Sequence, residues 1–160
     1  AGSVCQVAND NGGGQLVISG EKQAVERAAA LCTGKGAKRA LMLQVSAPFH
    51  SALMAPAADA MREALAAVRR HAPVVPVVAN VSVKPSRDVD EITRQLVEQV
   101  TGRVRWRETV TWFGDNGVAT LYEVGSGKVL SGLARRINRD MAVANIGTPA
   151  DVEAALAALS

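Results

Sequence analysis

The sequence predicts an α/β protein with a mainly parallel sheet and flanking helices. Three observations carry that prediction. Apolar runs and helix-periodic segments alternate through residues 50–160, the order expected of strands joined by crossover helices. Residues 74–79 form a continuous apolar run, as in a strand covered on both faces. Of the 160 residues, 48% are hydrophobic but only 3% aromatic. The core must therefore be built from Ala, Val, Leu and Ile, which suits α/β layers better than an aromatic-rich barrel or a base-stacking surface. A chain of this length normally makes one domain whose core can fold alone.

Each element has a local cause. Residues 4–8 read as a strand and 15–18 as a second. Between them, 9–14 supply Asn, Asp and Gly, which tolerate positive φ and bond their own backbone, so the pair predicts a hairpin. Residues 21–33 form a helix with Val25, Ala28, Ala29 and Cys32 on one face, ended by Gly34 and Gly36. Residues 38–45 complete a β-β-α-β order, the remnant of a ferredoxin-like unit without its first strand and helix, which leaves an unpaired edge. Residues 56–71 form a helix with Ala57, Met61, Leu65 and Val68 inward and Asp59, Arg62, Glu63 and Arg69 outward. His71, at its end, is suited to a dipole contact. Asp88 with Glu91 marks a helix start, and Ile92, Leu96, Val97 and Val100 form its buried stripe. A helix at 107–116, a strand at 119–124, a helix at 128–138 and a strand at 141–146 follow. Thr148-Pro149 then caps a helix running to 159. No internal repeat or low-complexity tract interrupts the chain.

Composition narrows the function classes. The net charge of +3 is modest. The densest basic cluster, Arg103, Arg105 and Arg107, alternates with Val104 and Trp106. It reads as a solvated edge, since a nucleic-acid footprint needs a larger patch. A mild positive balance favours an acidic partner protein through steering. Cys5 and Cys32 form no Cys-x-x-Cys pair and have no neighbouring His, so no metal site is expected. They read as reduced core thiols of a cytoplasmic protein. No apolar stretch of about 18 residues is present to span a membrane, and no signal peptide is visible.

Two stretches invite chemistry. Val45-Ser46-Ala47-Pro48-Phe49-His50-Ser51 places a histidine on a strand-to-helix connection, where function concentrates. Pro48 stiffens the approach by fixing its own φ and pushing Ala47 towards extended geometry. The residues alone leave His50 open between a catalytic base and a loop histidine satisfied by backbone groups. Ser51 reads as a helix cap rather than a nucleophile, because neighbouring side chains on an extended segment point apart. The second stretch, Gly125-Ser126-Gly127-Lys128, follows a strand and opens a helix, so it offers a phosphate-loop reading. It fails the Walker pattern at Val129 and the dinucleotide pattern at Leu130. A tight turn near a cleft is the competing reading.

The histidine stretch resembles the histidine motif of malonyl-CoA:acyl carrier protein transacylases. Further matches follow in chain order: Val4-Cys5-Gln6-Val7-Ala8-Asn9-Asp10-Asn11, Gly14-Gln15-Leu16-Val17-Ile18-Ser19-Gly20, Ala79-Asn80-Val81, Val104-Arg105-Trp106 and Glu123-Val124-Gly125-Ser126-Gly127-Lys128-Val129-Leu130. The order and spacing of these blocks are more specific than any one of them. The family's Gly-x-Ser-x-Gly elbow, its amino-terminal Gln-Gly motif and its carboxylate-binding arginine have no counterpart here, so the chain looks like the carboxyl-terminal half of such an enzyme.

The resemblance implies residues 1–47 as part of a ferredoxin-like small subdomain and 48–160 as part of an α/β-hydrolase-like large subdomain. It implies His50 as general base, with the serine nucleophile outside this chain, and the Arg105 backbone carbonyl as the group orienting His50. Phe49 would set specificity, because a bulky aromatic before the histidine leaves no room for an α-methyl group. Asn9, Asn11, Gly125 and Gly127 would line the cleft. The implied reaction moves malonyl from malonyl-CoA to the phosphopantetheine thiol of an acyl carrier protein in fatty acid biosynthesis. It needs no cofactor or metal, and neither nucleic acid nor membrane is a partner. The missing amino-terminal half, or a second chain, would complete the enzyme. Two other readings stay open: a non-catalytic module that binds carrier protein or CoA, and a phosphate-binding α/β domain.

Overall fold

A computed structural model describes residues 2–160. They fall into two compact units. The first runs to Asp10 and resumes over Gln15–Arg105; the second joins Asn11–Gly14 to Trp106–Ser160.

In the first unit, β1 (Cys5–Asp10) pairs antiparallel with β2 (Leu16–Gly20), as the hairpin pattern predicts, with an irregularity between Val7 and Asn9. Val104 joins the hairpin's edge: its N–H donates to the Ala8 carbonyl and its carbonyl accepts from the Asp10 N–H. Helix α1 (Lys22–Gly34) follows. The strand expected at 38–45 does not form. That segment is irregular, and its apolar side chains lie open, Leu41 at 73% exposure. A strand exists by pairing, and among the described residues nothing pairs with it. Of the expected β-β-α-β order, only β-β-α is formed.

A short 3-10 turn (Ala52–Met54) leads into α2 (Ala55–Ala67), with Pro56 in its first turn, where the missing N–H costs nothing. The helix stops short of residue 71, so His71 lies in the irregular segment beyond it rather than on its last turn. The inward face also differs from expectation. Ala58 is buried and Leu65 half-buried, while Ala57, Met61 and Val68 are exposed. Alanines occupy every side of this helix, so their spacing singles out no face.

The continuous strand expected at 74–79 shrinks to β3 (Val77–Val78), paired antiparallel with β4 (Pro85–Ser86). Val74 is 91% exposed. Pro73 and Pro76 cannot donate to a ladder. Helix α3 (Val89–Thr101) starts as predicted, with the Asp88 carboxylate accepting the Glu91 N–H at 2.7 Å, and it packs against α2. Its buried face carries Gln95 and Val97, whereas the expected Leu96 is exposed. The polar Gln95 is half-satisfied inside: its Nε2 donates to Glu91 Oε1, on the carboxylate that also accepts from Ser86, while its Oε1 is buried with no partner among the described residues.

The second unit keeps closest to expectation. Helix α4 (Trp106–Asp115), β5 (Thr120–Val124), α5 (Val129–Ile137), β6 (Ala142–Ile146) and α6 (Pro149–Leu159) alternate as predicted. Strands β5 and β6 are parallel and in continuous register from Thr120–Ala142 to Val124–Ile146. Val110, Ala134 and Met141 form the buried cluster, packed by Trp106, Phe113, Leu121, Ile137 and Val143. Thr148 and Asp151 form a reciprocal capping box on α6. The protein is thus α/β. The expected mainly parallel sheet is represented, among the described residues, by this one pair beside two antiparallel pairs. Cys32 is exposed rather than in the core, and Cys5 is half-buried. No helix among the described residues is long and apolar enough to cross a membrane.

Candidate active site

His50 sits on a pinned loop. The Phe49 N–H donates to the Ala47 carbonyl at 2.9 Å, and the buried Ser51 hydroxyl donates to the Pro48 carbonyl at 2.7 Å. The Ala52 N–H reaches Gln6 Oε1 at 2.7 Å. Ser51 therefore braces the loop and does not cap the following turn with its side chain. Between these anchors His50 takes φ 57°, a left-handed conformation that a side chain adopts only when its surroundings hold it there.

The ring is oriented by the end of α3. His50 Nδ1 lies 3.0 Å from the Gln99 carbonyl and 3.1 Å from the Gly102 carbonyl. Carbonyl oxygens only accept, so Nδ1 must carry the proton and donate. In the neutral ring the lone pair then falls on Nε2, which is the tautomer a general base at that nitrogen requires. The last turn of a helix has carbonyls without intrahelical partners, and this turn spends two of them on the imidazole. Gly102 makes the geometry possible: a Cβ there would lie 2.8 Å from the Glu98 carbonyl oxygen and 2.9 Å from Val81 Cγ1.

The orienting carbonyl expected at Arg105 is not the one that serves. The backbone at 104 is occupied with β1, where the Val104 carbonyl already accepts from Asp10, while Arg105 turns its guanidinium to the Val81 carbonyl at 3.1 Å. Gln99 and Gly102 escaped the sequence reading. Their signal was a glutamine three residues before the glycine that ends an amphipathic helix. Phe49, adjoining His50, is 47% exposed. Asn9 is half-buried in β1 and bridges to Val104. A depression of about 390 Å³ beside Gly102 is lined by Val81, Glu98, Arg103 and Arg105.

Asn11, Gly125 and Gly127 belong to the second unit. Gly125 and Gly127 take φ 126° and 94°, as the tight turn before α5 requires. Two amides at the start of α5 are already occupied. Leu130 N–H donates to Glu123 Oε1 at 3.0 Å, and Ser131 N–H donates to Oε2 at 2.8 Å. The Ser131 hydroxyl and Asn145 Nδ2 also donate to Oε2. The Ser131 hydroxyl and N–H, with the Leu130 N–H and Asn145, hold the Glu123 carboxyl below its ordinary value of 4.5. A phosphate at this helix start would find a carboxylate in its place, which contradicts the phosphate-loop reading. The start of α6 is closed in the same way by Asp151, which accepts from Gly147 N, Thr148 N and Thr148 Oγ1.

Known proteins resemble the chain over nearly its whole length. No protein-family model matches the chain. The malonyl CoA-acyl carrier protein transacylase of Salmonella typhimurium is 48% identical over 155 residues, covering 97% of this chain and 50% of the relative. A crystal structure of acyl-carrier-protein-S-malonyltransferase from Bartonella henselae superposes with a TM-score of 0.93 at 62% identity, covering 98% of this chain and 50% of that one. A type II PKS acyl-carrier protein in complex with its malonyl-transacylase matches with a TM-score of 0.91 at 44% identity, again over 98% of this chain and 50% of that one. The chain spans about half the length of the curated relatives it matches. In sequence and in fold it corresponds to that half of a malonyl CoA-acyl carrier protein transacylase.

Proposed function

We propose that the chain is the carboxyl-terminal portion of a malonyl-CoA:acyl carrier protein transacylase of fatty acid biosynthesis, with His50 as its general base. The observation that carries this is the pair of carbonyls on His50 Nδ1, which in the neutral ring puts the lone pair on Nε2. In the proposed reaction Nε2 takes the proton of a serine hydroxyl outside this chain as its oxygen attacks the thioester carbonyl of malonyl-CoA. The C–S bond breaks, CoA leaves as the thiol with that proton, and a malonyl ester remains. The phosphopantetheine thiol of the acyl carrier protein then repeats the exchange, returning the proton to serine. Nδ1 keeps its proton throughout, and no cofactor enters.

Phe49 would restrict the acyl group, and Asn9, Asn11, Gly125 and Gly127 would line the cleft. In the complete enzyme 1–47 belongs to a ferredoxin-like small subdomain and 48–160 to the large, mainly parallel α/β-hydrolase-like subdomain. The exposed apolar side chains of 41–45 and 74–75 support a partner in the missing amino-terminal half or a second chain. The enzyme would work in the cytoplasm. The test is complementation. The chain alone should form no malonyl ester, and addition of a segment carrying Gly-x-Ser-x-Gly should restore malonyl transfer to carrier protein. A covalent malonyl adduct on the isolated chain, seen by mass spectrometry, would overturn the assignment.

A further inference from the structure

The Gln99 side chain is placed to act on His50 through the backbone. Its main-chain carbonyl is one of the two acceptors on Nδ1, and its side-chain Nε2 donates to the other acceptor, the Gly102 carbonyl, at 3.0 Å. Gln99 Oε1 is buried without a partner. The carboxamide orientation therefore rests on the Nε2 bond alone. Turning the amide over would set Oε1 against the Gly102 oxygen, lone pair against lone pair. Only a glycine fits at 102, since a Cβ there would lie 2.8 Å from the Glu98 carbonyl oxygen and 2.9 Å from Val81 Cγ1. One side chain thus fastens the only acceptor that is not its own.

Resting on the reading of His50 as a base, we infer that the Gln99 carboxamide is a positioning residue that holds the Gly102 carbonyl against the imidazole, so that two fixed acceptors select the Nδ1–H tautomer. A single acceptor on a fraying helix end would hold the ring less firmly, since the carbonyls of a last turn are its most mobile.

The test needs no catalysis. The chain contains two histidines, so ¹⁵N-histidine NMR on the 160-residue chain reads the tautomer of His50 with His71 as internal control. In the wild type, His50 should be mainly the Nδ1–H form. Gln99→Met, which keeps the length and removes the donor, should move the ratio of Nδ1–H to Nε2–H by roughly three- to ten-fold, the range one net hydrogen bond supports. His71 should not change. Gln99→Glu should move His50 the same way at neutral pH, by placing an acceptor against an acceptor. An unchanged ratio in folded Gln99→Met would sink the inference while leaving the base assignment intact. A wild-type His50 found as Nε2–H would sink the base assignment itself. If the variants fail to fold, exchange of the Gln99 side-chain amide protons in the wild type decides. They should exchange more slowly than those of exposed Gln23, and equal rates would overturn the clamp.

Discussion

The loops at 48–51 and 125–128 both invite chemistry in the sequence. Each carries residues suited to a site and leads into a helix. Their structures divide sharply. Around His50 every anchor lies on a neighbour of the histidine, and the ring's own bonds fall on one nitrogen, so the other is left for chemistry. Around Gly125 the Leu130 amide and the Ser131 amide and hydroxyl at the α5 start are turned on Glu123. The first loop leaves the second ring nitrogen to face outward from its bonds, and the second turns donors of its helix start onto a carboxylate of its own chain. A site is distinguished here by what the surrounding bonds omit rather than by the residue types in the loop.

The largest effect should come from breaking the first loop. In the complemented enzyme, His50→Ala should lower the acylation rate by about 10²–10⁴-fold, the usual contribution of a general base. Malonyl-CoA binding should change little. His71→Ala, on the irregular segment after α2, should keep its rate. Stopped-flow acylation kinetics separate these outcomes, and the reverse pattern would remove His50 from its role. A smaller effect is expected beside it. Phe49→Ser opens methyl-sized space next to the base and should shift the ratio of kcat/KM for methylmalonyl over malonyl by on the order of ten-fold, corresponding to about 1–3 kcal/mol. Competition between the two thioesters measures it, and an unchanged ratio would leave Phe49 as packing alone.

How much of this was legible depends on which contacts each segment uses. The second unit was read nearly in full because β5, α5, β6 and α6 find their partners close in sequence, and Thr148 with Asp151 makes a local cap. The segments at 38–45 and 74–79 were misread because a strand needs a ladder partner, and local pattern cannot say whether one exists. His50 was legible through its motif. Its acceptors were not, because backbone carbonyls carry no residue type. Only Gln99 and Gly102, with their spacing at a helix end, hinted at them.

Stability should sharpen the contrast for the second loop. Ser131 is buried, gives its hydroxyl hydrogen to Glu123 and accepts from Asn145 Nδ2 at 2.6 Å. Ser131→Ala should cost about 1–2 kcal/mol, because it removes two hydrogen bonds made by a buried hydroxyl. Urea unfolding gives the value. A cost near zero would mean that the α5 start is held without this network.

The smallest expected effect is in acid, and its sign follows from the two depressed carboxyls. Hydrogen bonds from the Ser131 hydroxyl and amides hold Glu123 below 4.5, and those from the Thr148 hydroxyl, Gly147 and Thr148 hold Asp151 below 3.8. A carboxyl with a lowered folded pKa binds fewer protons folded than unfolded. Its stabilisation is therefore present above the unfolded value and is lost as pH falls through the folded one. Both groups are solvent-facing, so the effect should be shallow and should weaken with salt. Thermal unfolding between neutral pH and pH 3 should show Tm falling below about pH 5. In Glu123→Gln that fall should be less steep, since one titrating group is gone, while Tm at neutral pH should drop because a charged cap is replaced by a neutral one. Added inorganic phosphate should leave the wild-type Tm unmoved at neutral pH. A phosphate-dependent rise would show that the α5 start still has donors to give, and the difference between the two loops would collapse.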